Sequence, residues 1–133
     1  MKRIALALAV FVSLMIPSKP SFAEWFKVVA KSADGHTTYI DTKIRKHDGH
    51  IYYWVLFDYL KPTGQGTLSG KVYREADCGR FRHRWLQYIF YAQPMGEGNG
   101  DSQKPEDQSW IYPSPGTVGA IALEAACKMA KNR

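Results

Sequence analysis

Arg80, Arg82 and Arg84 alternate with Phe81, His83 and Trp85 in the sequence. Alternate residues of a β-strand share a face about 7 Å apart, so the three guanidiniums would form a row opposite an aromatic one. Such a row can fork onto carboxylates, sulfates or phosphates. Basic and aromatic residues on a sheet also suit stacking on nucleic-acid bases. The competing expectation is a solvated strand face whose charges discourage edge-to-edge association.

Other residues of chemical interest are less specific. His47-Asp48-Gly49-His50 places three potential ligands around a turn. Zinc needs three or four ligands held by supporting partners, and a solvated turn offers neither, so no metal site is assigned. Gly64-Gln65-Gly66 and Gly96-Glu97-Gly98-Asn99-Gly100 lack the strand-loop-helix setting of a phosphate-binding loop and read as turns. No G-x-S-x-G elbow is present. No catalytic residue and no cofactor is assigned, and a small exported hydrolase is the weakest functional alternative.

Cys78 and Cys127 are the two cysteines. Whether they pair depends on the compartment, and the N-terminus bears on that. Met1-Lys2-Arg3 precedes an apolar run from Ile4 to Ile16, closed by Pro17-Ser18-Lys19-Pro20 and followed by Ser21-Phe22-Ala23. This order of basic, apolar and small residues is that of a signal peptide cut after Ala23. The apolar run is shorter than the ~20 residues of a membrane-spanning helix. The expected organisation is a signal peptide, 1–23, and one domain, 24–133. The product would be periplasmic or secreted, with no lipid anchor. In an oxidising compartment a Cys78–Cys127 disulfide is favoured over free thiols. A closed loop of about 50 residues would stabilise the fold by about 4 kcal/mol in the chain-entropy picture. Loss of Lys2, Arg3 and Lys19 lowers the net charge from +6 to +3, fifteen cationic side chains against twelve anionic. So modest a charge, outside the cytoplasm, makes nucleic acid an unexpected partner.

The elements that must position these residues are mostly strands. Trp25–Ala30 and His36–Ile40 flank an Asp34-Gly35 turn. Asp41 could cap a short helical turn over 42–46. Residues 50–60 are apolar on both faces, Ile51, Tyr53, Val55, Phe57 and Tyr59 against Tyr52, Trp54, Leu56 and Leu60, as in a central strand. Residues 70–77 read as a half-solvated strand, and 80–91 as a long strand whose apolar phase shifts at Trp85-Leu86, a bulge signal. Residues 93–109 read as a mobile loop and 110–112 as a short last strand. Thr117 can cap a helix to Lys131 with Val118, Ile121, Ala122, Ala125 and Met129 on its apolar face.

These landmarks resemble the surface-adhesin protein E family of exported bacterial proteins. The matching residues are Trp25, Asp34-Gly35, Tyr39-Ile40-Asp41, Ile44, Gly49, Trp54, Asp58-Tyr59, Lys71, Asp77-Cys78, Pro94-Met95-Gly96, Trp110, Tyr112-Pro113, Pro115-Gly116 and Cys127. The resemblance implies an α+β fold with a six-stranded antiparallel sheet backed by one C-terminal helix. It also implies an adhesin-like role, with binding of host matrix proteins and plasminogen, and proposed haem binding and dimerisation. The chain departs from the family in lacking a lipid-attachment cysteine, and no host-binding residues can be carried over.

The candidate binding surface is therefore Arg80, Arg82 and Arg84 with Tyr52 and Trp54, on the sheet face away from the helix. Expected partners are host extracellular-matrix or envelope proteins, or a second copy of the chain. A periplasmic small-ligand binder, with haem as the ligand, is the main alternative. Whether 93–109 folds over the second face is left open by the sequence.

Overall fold

The computed structural model describes residues 24–33 and 35–132. The signal peptide read in 1–23, and Asp34 of the Asp-Gly turn, lie outside the described residues. The strands are β1 Trp25–Val29, β2 His36–Asp41, β3 Arg45–His47, β4 His50–Tyr59, β5 Ser69–Asp77, β6 Arg82–Tyr91 and β7 Gly100–Gln103, followed by helix α1 Val118–Lys131. They form one seven-stranded sheet in the order β1-β2-β4-β5-β6-β7, with β3 paired to β4. Every pairing is antiparallel.

Both faces of β4 are apolar because it lies inside the sheet. Ile51, Tyr53 and Val55 on its odd face are buried with Ile40, Ala76 and the α1 residues Ala122, Leu123, Ala126 and Ala130. The Thr117 hydroxyl accepts a hydrogen bond from the Ala120 amide at 3.2 Å and caps the helix. The buried helix stripe is Ala120, Ala122, Leu123, Ala126 and Ala130, rotated from the expected one so that Ile121 is exposed. Small residues let the helix approach closely, and the Cys78–Cys127 disulfide joins it to the turn between β5 and β6.

Four expectations are corrected. Residues 42–44 form no helical turn, because the Asp41 carboxylate accepts from the Lys43 amide at 2.8 Å and turns the chain into β3. The half-solvated strand is the buried β5, between β4 and β6, with Arg74 and Glu75 both inside. Residues 93–109 include a single 3₁₀ turn, Pro94–Gly96, and the strand β7, which pairs with Tyr88–Tyr91. The expected strand at 110–112 shrinks to one bridge, Ile111 to His83. The bulge is where the phase shift put it: Tyr73 faces Gln87 and Arg74 faces Trp85, leaving Leu86 as the extra residue.

Candidate binding face

The face of the sheet opposite α1 holds the alternate set of side chains. Register places Tyr52, Trp54 and Leu56 of β4 beside Glu75, Tyr73 and Lys71 of β5, respectively. Arg84 and Arg82 of β6 lie beside Glu75 and Asp77. Landmarks distant in sequence thus converge on one surface.

The arginine row is two residues, not three. Arg80 stays in the turn after Asp77, its amide donating to the Asp77 carboxylate at 3.3 Å, and Phe81 takes a left-handed φ of 50°. Strand alternation starts only at Arg82. Arg82 Nε donates to Asp77 at 3.2 Å, and Arg84 donates to Glu75 at 3.0 and 2.8 Å. His50 Nδ1 lies 2.7 Å from the other Glu75 oxygen. Burial works against the charged form of Glu75, yet hydrogen bonds from Arg84 and His50 outweigh it and hold the carboxyl below its ordinary range.

Trp110 lies across both guanidiniums, its ring centroid 4.1 Å from Arg82 Cζ and 4.5 Å from Arg84 Cζ. The His50 ring meets it edge-on at 5.5 Å. The Arg82 Nη1 group also donates to the Tyr112 hydroxyl at 3.2 Å. This end of the face is therefore a neutralised, ring-capped cluster rather than an open anion receptor. His50 is drawn into it while His47 pairs with Asp48, and no group of three His, Cys, Asp or Glu side chains among the described residues is placed to hold a metal ion.

The other end is closed by the Pro94–Gly96 turn. The Met95 amide donates to the Asp58 carboxylate and the Gly96 amide to the Ser69 hydroxyl, both at 2.8 Å. Ser69 in turn donates to the Gln93 carbonyl at 2.5 Å. Gly96 has a left-handed φ of 65°, which favours glycine, and a Cβ there would push aside the end of the Lys71 side chain, whose Cε would be 2.4 Å away. Beneath it Leu56 is fully buried. Lys71 Nζ lies 5.6 Å from the Trp25 ring and 5.1 Å from the Tyr91 ring. Burial lowers the Lys71 pKa, with Asp41 acting in the opposite sense.

Between the two covered ends runs a strip of half-buried rings. Trp54 and Tyr73 stack with centroids 4.8 Å apart, and Tyr52 and Tyr73 at 6.3 Å. The exposed Arg45 guanidinium lies 4.9 Å over Tyr52. Of the expected surface residues, Tyr52 and Trp54 belong to this strip; Arg82 and Arg84 are ion-paired at its edge; Arg80 is outside it. Tyr73 and Arg45 were not singled out from the sequence. Tyr73 alternates with charged neighbours, and Arg45 is placed only by the His47–His50 hairpin, whose Asp48 and Gly49 have φ of 50° and 77°.

The family model for surface-adhesin protein E matches residues 25–128, and the chain belongs to that family. Among solved structures, Haemophilus influenzae protein E matches with a TM-score of 0.59 at 16% identity, over 82% of this chain and 87% of that one. A second crystal form of the same protein matches with a TM-score of 0.54 at 17% identity, over 80% of this chain and 97% of that one. Protein E from non-typeable H. influenzae matches with a TM-score of 0.59 at 16% identity, covering 84% and 82%. No curated protein sequence matches the chain.

Proposed function

We propose that this member of the surface-adhesin protein E family is an exported, non-enzymatic recognition module. Its helix-free sheet face binds an extracellular-matrix protein through the Tyr52–Tyr73–Trp54 strip and Arg45. The observation that carries this is the strip itself. It stays half-buried while both flanks of the same face are covered by anchored segments. Aromatic rings and arginine are the side chains that most often dominate the energy of a protein interface. A sheet stapled to its helix presents them with little ordering cost. No described helix is long and apolar enough to cross a membrane.

The test is binding of the purified exported protein to a panel of immobilised extracellular-matrix proteins. Trp54→Ala combined with Arg45→Ala is expected to weaken the observed binding at least 30-fold while circular dichroism stays unchanged. Absence of binding to every matrix protein, or full binding by the variant, refutes the proposal. Light scattering at high concentration separates recognition of another protein from pairing of two copies.

A further inference from the structure

A second site lies on the opposite side of the sheet, beside the helix, and is independent of the strip. Helix α1 packs on β1, β2 and β4. The helix-side surface of β5 and β6 is left with a cleft of about 260 Å³. Phe57 and Tyr59 of β4, Gly70 and Val72 of β5, and Trp85 and Phe90 of β6 line it. Gly70 pairs with both Phe57 and Phe90, so a side chain is missing from the cleft wall between two rings.

Arg74 is not in the lining but stands directly behind two of its rings, Phe57 and Trp85. It is 3% exposed, and its guanidinium carbon lies 5.8 Å from the Phe57 ring and 5.7 Å from the Trp85 ring. Phe57 pairs with Gly70, four residues before Arg74 on β5, a span of about 13 Å along a strand. The arginine must therefore lean along the strand, towards the cleft, to come so near that ring. Nε and Nη1 meet no acceptor among the described residues. The buried Tyr53 hydroxyl is a polar neighbour of Arg74 and favours the charged guanidinium, but no described carboxylate pairs with Arg74. A guanidinium stays protonated, and burying it without an anion is costly. Ring faces offset part of that cost but cannot accept from the edge N–H groups.

We propose that this cleft binds a small apolar monocarboxylate, its tail among the rings and its carboxylate on Arg74. A cavity of about 150 Å³ holds benzene, with six heavy atoms, so by proportion 260 Å³ takes roughly ten. Octanoate has that size.

Calorimetric titration of the purified exported protein with octanoate, and with octanol as the uncharged match, tests the assignment. Octanoate is expected to bind at one site, at least tenfold more tightly than octanol. Arg74→Met keeps the length of the side chain and removes the charge, and it should bring octanoate down to the octanol level. Gly70→Val tests the place separately. The new Cβ would meet the Ile89 carbonyl at 3.6 Å and Phe90 Cδ1 at 3.7 Å, ordinary contacts, while its methyls fill the cleft. It should weaken octanoate binding at least tenfold. No saturable octanoate binding by the wild type, equal binding of octanol, or unchanged binding by either folded variant overturns the proposal.

Discussion

His83 should make the fold acid-sensitive by an amount that can be worked out. It is 3% exposed, on the helix side of β6. Its Nδ1 has no hydrogen-bond partner among the described residues. A Cβ at Gly119 would stand 3.7 Å from its ring, so the first turn of α1 packs directly on it. Burial first, and the Arg74 cation second, lower its pKa from 6.5 to about 4. The imidazole is therefore neutral in the folded state at neutral pH. As pH falls below 6.5 the unfolded chain takes up a proton that the folded chain refuses. Stability then declines by 1.36 kcal/mol per pH unit until the folded pKa is reached, about 3 kcal/mol in all. His83→Phe keeps a ring there and removes the titration. Urea unfolding at pH 7.5 and pH 4 should show the wild type losing about 3 kcal/mol more than the variant over that interval. Taking the difference cancels Glu75, whose lowered pKa costs both proteins stability at the acid end. Parallel losses in the two proteins would refute a buried neutral His83.

Two further outcomes are expected. Replacing Cys78 and Cys127 together by alanine opens a loop with a sequence separation of 49. Urea denaturation should show a loss of about 4 kcal/mol, and a loss below about 1 kcal/mol would mean that side-chain packing alone holds α1 on the sheet. Gly100→Val should unzip β7, since a Cβ there would lie 2.3 Å from Ile89 Cγ2 and 2.7 Å from Tyr91 Cε1. Hydrogen exchange should quicken at residues 100–103 and leave the β4–β5 amides protected; unchanged exchange at 100–103 would show that β7 tolerates a side chain.

Features with local causes were legible in the chain. The two-faced apolar run of β4, the phase shift at Leu86 and the Thr117 cap each follow from alternation or capping within a short segment, and the pairing of the two cysteines follows from there being only two of them in a chain read as exported. The family landmarks led to the same α+β architecture. Tertiary structure alone decided what long-range partners do to those segments. The sequence pattern counts Glu75 among the solvated residues of a half-solvated strand, and only the place of that strand between β4 and β6 buries it together with Arg74. The residues of β7 have almost no strand propensity of their own, and the free edge of β6 makes them a strand. Arg80 fits an alternating row until the left-handed Phe81 displaces it. Trp110 closes one end of the binding face from a position 26 residues after Arg84, a contact that no periodicity encodes. Period and capping act over a few residues, whereas burial is set by whichever distant strand or loop comes to lie alongside.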